Sequence, residues 1–320
     1  MFSTCETISL KEFLSYDETF INHTFPYIYE GFRIPKDCIS TTLQSIFQIH
    51  NEYMNIWTHV IGSLIFIYLF GSFLFHSYQN KPSSYLSFFI ISFYLLSALF
   101  VFTSSSIYHT FNHHSIDIAN KCLCLDWFGV TLLILASNLY TAYFSLYQNQ
   151  HFHTFYIFLI INLIIYVYLT YQNMYSLIKC YYFHQCDIHK DTKEENINNG
   201  IHQNESFWRV IITSLFGLGV FIAWLLHYIL SKYTDTKYLK MILLVYLFHG
   251  FVVFKAFSIP ERFAPHLFHT FGSSHQIFHT GSVIGTLLLY FTYQPFRSYI
   301  PEPKPIQETI ENTIESLFVH

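Results

Sequence analysis

Apolar runs of about 20 residues, the length a helix needs to cross a bilayer, recur seven times along the chain. They fall near 57–75, 85–108, 123–143, 152–171, 210–230, 239–257 and 276–296. The sixth is the shortest, and Lys240 and Lys255 near its ends can snorkel to the interface. This pattern predicts an all-α protein, a seven-transmembrane helix bundle over 56–296. Residues 1–55 form an N-terminal segment in which Ser40 can cap a surface helix near 40–52. Leu43, Ile46, Phe47 and His50 would share one face of that helix. The polar, Asn-rich stretch 172–207 reads as a flexible loop. After the last span, "PFRSYIPEPKP" breaks helix, and the tail 297–320 places Ile306, Ile310, Ile314 and Leu317 on one stripe of a short amphipathic helix.

Composition agrees with a membrane protein. Charged residues are 11% of the 320 and hydrophobic residues 52%, against about 25% charged in a soluble domain. A net charge of −4 offers no basic patch for nucleic acid. The six cysteines are too irregularly spaced for a secreted-type framework, and Cys122 and Cys124 read as small buried thiols. The first 20 residues have no apolar core of signal-peptide type, so insertion would rely on the first internal span. With seven spans, ten of the 16 Lys and Arg fall on the side of the N-terminal segment. The positive-inside rule then predicts a cytoplasmic N-terminus and an extracellular or lumenal C-terminus. The sequons at Asn22 and Asn204 would be cytoplasmic and unused.

Span parity places three helix ends at one membrane face: the end of span two, the start of span three and the start of span seven. They carry Ser105 and His109, Asp126, and the pair His275 and His279. Ionisable groups at such depth are costly and mark functional sites. Three neutral imidazoles can bind one Zn²⁺ and leave its fourth position open, the layout of a catalytic zinc. Asp126 is placed to act as general base, and Ser105, one turn before His109, to donate to a substrate carbonyl as charge develops. Together these groups describe amide or ester hydrolysis. Blander readings stand beside this one. Among 19 histidines an i,i+4 pair can arise by chance, and His109 with His113 makes another. Asp126 can be a satisfied helix-end carboxylate, and Ser105 can bond its own helix. His113 and His114 read as facing water, and His59 as a helix-packing residue.

The stretches "EGFRIP" (30–35), "SIFQIHNEYMNIWTHVIG" (45–62), "SSSIYHTF" (104–111), "LDWFG" (125–129), "IPERFAP" (259–265) and "SHQIFH" (274–279) occur in this order. In them the chain resembles the progestin and adipoQ receptor family, which includes adiponectin receptors, membrane progestin receptors and haemolysin-III-like proteins. The resemblance implies seven spans and a cytoplasmic-side zinc held by His109, His275 and His279. It also implies Asp126 beside the zinc and Ser105 one turn before the first ligand. A ceramidase-like activity on a ceramide-like lipid substrate is implied too. The chain departs from the family at His266 and His269, where Gly and Asp are common; both read as residues of a solvated loop. Glu30 and Arg33 are placed to tether the pre-membrane segment beneath the bundle.

The leading reading is therefore an integral multi-pass membrane protein of plasma membrane, Golgi or endoplasmic reticulum, hydrolysing a lipid amide with zinc. The alternative is a non-catalytic receptor or scaffold for an extracellular hormone or steroid, with structural zinc and a cytoplasmic partner. A bis-histidine haem carrier would need histidine pairs through both leaflets, whereas these crowd one end.

Overall fold

The computed structural model describes residues 6–16, 20, 23, 25–80, 84–186, 211–231 and 236–293. The remainder of the Asn-rich stretch, both sequon asparagines and the expected tail helix lie outside them. At the N-terminal side, β1 (Thr7–Ile8) is followed by α1 (Leu10–Tyr16) and pairs antiparallel with β2 (Phe32–Arg33). A small core of Phe13, Phe20, Ile28 and Phe32 holds this segment together. The surface helix α2 (Ile39–Ser45) is shorter than expected, and Cys38, not Ser40, stands at its N-cap. Beyond Ser45 the chain turns, since the Asn51 amide donates to the Gly31 carbonyl at 2.9 Å and Trp57 Nε1 to the Ile46 carbonyl at 2.9 Å. Leu43 and Phe47 stay exposed while His50 is buried, so His50 does not share their face.

Runs of apolar residues with no interior proline then form α3 (Tyr53–Asn80), α4 (Tyr85–Phe111), α5 (Ile116–Ala142) and α6 (Phe152–Cys186). Ser84 and Ser115 set two of the starts, each hydroxyl accepting from amides of the first turn. Helix α5 ends in one π-helical turn, Tyr143–Tyr147. Helix α6 runs past the expected loop boundary to Cys186, because no glycine or proline interrupts it. The stretch Ile211–Ser231 includes α7 (Gly219–Ser231). It is followed by α8 (Thr236–His249), α9 (Val252–Phe257) and α10 (Ser274–Thr292).

Among the described residues five helices are long and apolar enough to cross a membrane: Tyr53–Gln79, Tyr85–Phe111, Ile116–Tyr147, Phe152–Tyr175 and Ile211–Ser231. The expected sixth span is instead broken at Gly250–Phe251 into α8 and α9. Packing accounts for the break. A Cβ on Gly281 of α10 would meet the Phe248 carbonyl oxygen at 2.5 Å and the Phe251 ring at 2.6 Å, so the two helices touch where the chain kinks. Ile157, Ile161, Ile164 and Tyr168 form an exposed stripe on α6, as a lipid-facing surface requires.

Inside, tyrosines lock α10 in depth: Tyr94 donates to the Thr286 carbonyl at 2.7 Å and Tyr140 to the Tyr290 carbonyl at 3.0 Å. Gly129 has the same effect between α4 and α5, because a Cβ there would meet Val101 Cα and Ser104 Oγ at 3.0 Å. This contact lies one turn from Asp126 and brings α5 close to Ser105.

Candidate metal centre

His109 comes from the last turn of α4, and His275 and His279 from the first two turns of α10. All three are buried, and their candidate ligand atoms lie within 4.8 Å of one another. His109 Nε2 and His275 Nε2 stand 3.3 Å apart. Two nitrogens each bound to one tetrahedral zinc at about 2.0–2.1 Å would stand about 3.3–3.4 Å apart. The donor set therefore fits a borderline-soft divalent ion.

Second contacts decide which nitrogen points inward. His109 Nδ1 meets Glu52 Oε2 at 2.9 Å, and His279 Nδ1 meets the Asn55 carbonyl at 3.3 Å. A carbonyl or carboxylate on Nδ1 fixes the proton there and leaves Nε2 as the free lone pair. Glu52 also accepts from the side-chain amides of Asn55 and Asn112. Burial raises the Glu52 pKa, but His109, Asn55 and Arg33 together hold it below the usual carboxylate value, so it stays ionised.

Arg33 spans the gap between the N-terminal segment and the end of α4. Its guanidinium donates to the carbonyls of His109 at 2.6 Å and Thr110 at 3.1 Å, and to Asn112 Oδ1 and Ser45 Oγ. A cation on the last carbonyls of a helix satisfies acceptors that lack a helical partner and complements the dipole. The tether expected of Arg33 is thus present, and it fixes the backbone of a cluster residue. Glu30 is exposed and comes no nearer than 3.8 Å to His269 Nδ1. At the other ligand helix, Glu261 accepts from the Ser274 amide at 2.8 Å and from the Ser274 hydroxyl. Gln276 accepts from the amides of Gly272 and Ser273. These contacts hold the first turn of α10, and with it His275.

Asp126 and Ser105 adjoin the cluster. The Ser105 hydroxyl faces the Asp126 carboxylate, and Asp126 is electrostatically coupled to His109. Asp126 and the histidines therefore lie in one region of the bundle. His59 stacks on His279 with ring centroids 3.8 Å apart and planes at 5°, so it reaches the edge of the cluster. His113 and His114 are buried, against the expectation that they face water. The chain turns after α4 and the N-terminal segment packs over that turn. His266 is exposed as a loop residue should be, whereas His269 is buried against Tyr29.

Three participants escaped sequence reading. Glu52 stands in "HNE", immediately before the first span, and a carboxylate at that depth was its available signal. Phe25 places its ring 4.7 Å from that of His275 and 6.5 Å from that of His109, covering one side of the cluster. Nothing in its local sequence announces this. Lys255, read as an interface anchor, holds Nζ 5.0 Å from the centroid of the Phe278 ring.

A family model described as haemolysin-III related matches residues 47–290. The chain belongs to the haemolysin-III-related family. That match covers the whole cluster, from Glu52 to His279. Relatives carry the names that the sequence motifs suggested. The chain is 27% identical over 292 residues to progestin and adipoQ receptor-like protein 1 of Caenorhabditis elegans, covering 88% of this chain and 58% of that protein. It is 25% identical to the adiponectin receptor protein of Drosophila melanogaster, covering 79% of this chain and 52% of the relative. To progestin and adipoQ receptor family member 3 of Homo sapiens it is 24% identical, covering 84% and 79%. The chain thus spans between half and three-fifths of the length of the worm and fly relatives. Membership of the haemolysin-III-related family, with several apolar helices, makes this an integral multi-pass membrane protein.

Proposed function

We propose that this protein is a zinc-dependent amidohydrolase of the membrane, cleaving a ceramide-like lipid into sphingoid base and fatty acid. The observation that carries the reading is the buried cluster of His109, His275 and His279 with Asp126 in the same region of the bundle. Bound to the three imidazoles, zinc would supply Lewis acidity towards an amide carbonyl. Asp126 takes a proton from the attacking water as its oxygen adds to the carbonyl carbon. The same carboxyl returns that proton to the nitrogen as the C–N bond breaks. Ser105 orients the Asp126 carboxylate and stands ready to donate to the developing oxyanion. Phe25 excludes bulk water from one side of the cluster.

The reading includes seven spans, with α8–α9 and α10 completing the five longer helices. It places the N-terminus and the cluster on the cytoplasmic side, in keeping with the excess of Lys and Arg there. Glycosylation at Asn22 or Asn204 in a microsomal insertion assay would overturn that orientation.

The decisive experiment compares wild type with Asp126→Ala for metal content and ceramide turnover. Zinc should be retained and turnover should fall about 10²–10⁴-fold; unchanged turnover removes the mechanism. The second reading, a receptor or scaffold with structural zinc, draws on the receptor names of the relatives. It predicts zinc in wild type with no turnover of any lipid amide.

A further inference from the structure

Two short segments outside the long helices carry large apolar side chains on their outer surface. Ahead of α3, Phe47 is 72% exposed and Ile49 64%. Between α9 and α10, Phe263 is 77% exposed and Leu267 75%, and Phe271 is half exposed. A row of rings joins the two segments. Phe47 packs on Trp57 with centroids 5.9 Å apart, Trp57 on Tyr53 at 6.4 Å, and Tyr53 on Phe271 at 6.4 Å. The patch is therefore one surface built from two distant parts of the chain, and exposed apolar surface of this extent marks an interaction site.

Its place in the fold says what lies against it. Trp57, Ile61, Leu64 and Tyr68 follow one another at helical spacing on α3, and the last three are exposed. They form a stripe of the lipid-facing surface. Phe47 sits at the Trp57 end of that stripe, held there because the Trp57 indole donates to the Ile46 carbonyl. On the other side, Val253 and Phe257 are exposed on α9, and the chain runs from them into Phe263 and Leu267. The patch thus continues the lipid-facing surface past the ends of two helices. Tyr53 and Trp57, apolar rings with polar tips, suit the level where chains meet headgroups.

We propose that Phe47, Ile49, Phe263, Leu267 and Phe271 are buried in the headgroup–acyl boundary of the bilayer, so that the α9–α10 connection is an interfacial lipid anchor rather than a solvated loop. Arg262 and His266, exposed beside Phe263 and Leu267, then stand among the headgroups, as the polar side of an interfacial segment does. Glu261 of the same connection is buried and bonded to Ser274. The connection is thereby held from inside by that bond and from outside by lipid, and the start of α10 is fixed between them. This anchor stands apart from the hydrolase reading and holds in either membrane orientation.

The test uses the full chain in lipid nanodiscs, one copy in each, doped with phosphatidylcholine bearing a photoreactive diazirine near its ester or near its chain end. Adducts are mapped by mass spectrometry. The ester-proximal probe should label 47–49 and 263–271 as strongly as 61–68, and the chain-end probe should favour 61–68. Phe263→Ser with Leu267→Ser should lose the label on 263–271 while 61–68 keep theirs. As a second measurement, the emission that Phe263→Trp adds to wild type should be quenched by lipid brominated near the ester and spared by aqueous iodide. An unlabelled 263–271 beside labelled 61–68, or added emission quenched by iodide instead, leaves the patch open to water or to a soluble protein and overturns the proposal. Chain-to-chain cross-links through 263–271 in nanodiscs holding two copies, in place of lipid adducts, make it an interface between copies and overturn it too.

Discussion

At one end of the bundle His109, His275 and His279 turn ring nitrogens towards one another, whereas at the other end His151 and His227 share the hydroxyl of Ser231. In the second group His151 Nε2 and His227 Nδ1 each lie 3.1 Å from Ser231 Oγ, and the rings are 6.4 Å apart. The hydroxyl can donate to one ring and accept from the other, so both nitrogens are answered within the protein. In the first group the outer nitrogens of His109 and His279 are answered by Glu52 and Asn55, and the inner ones meet only other imidazoles. Neighbouring histidines alone do not make a metal site. The distinguishing feature is several lone pairs driven inward by partners behind them.

This contrast can be broken most severely at a ligand. His279→Ala should lose bound zinc altogether when metal content is measured on purified protein, and His151→Ala should leave that content unchanged. Glu52→Gln acts one step back and should weaken zinc about 10–100-fold in a chelator competition. It should do so without emptying the site at saturating metal. Phe25→Ala removes the cover and should speed stripping of metal by a water-soluble chelator several-fold, at a stability cost of about 0.5–1.5 kcal/mol.

Acid should loosen the N-terminal segment beside the cluster. Burial pushes the His50 pKa down to about 2, with the Arg33 charge acting the same way, and burial pushes His23 down to about 4. Unfolded histidine titrates near 6.5. Below that pH the unfolded segment binds protons that the folded one refuses, so stability is full above about 6.5 and falls as pH drops towards each folded value. Hydrogen-exchange protection factors of 25–52, taken relative to the intrinsic rate at each pH, should therefore fall between about pH 6.5 and 4, and His50→Gln should flatten the dependence. The smallest effect is expected at the contrasting pair, where His151→Ala should cost about 0.5–1.5 kcal/mol, a single hydrogen bond.

Hydropathy made the helices legible, because a bilayer demands a fixed apolar length and the chain supplies it without interior prolines. Spacing made His275 and His279 legible as one helix face, and span parity brought His109, Asp126 and Ser105 to their level. The break between α8 and α9 was hidden, since it depends on Gly281 of another helix rather than on Gly250 alone. Glu52, Phe25 and Lys255 were hidden for a related reason. Each meets the cluster from a separate segment whose own pattern says interface or loop. The buried state of His113 and His114 depends likewise on β2 and its neighbours closing over the turn after α4.

His109 and His275 are 166 positions apart in the chain. During synthesis the first imidazole, together with Glu52 and Arg33, therefore leaves the ribosome long before its two companions. An ion can be captured by all three only once α10 has been threaded into the bundle, so metal loading would report that insertion is complete.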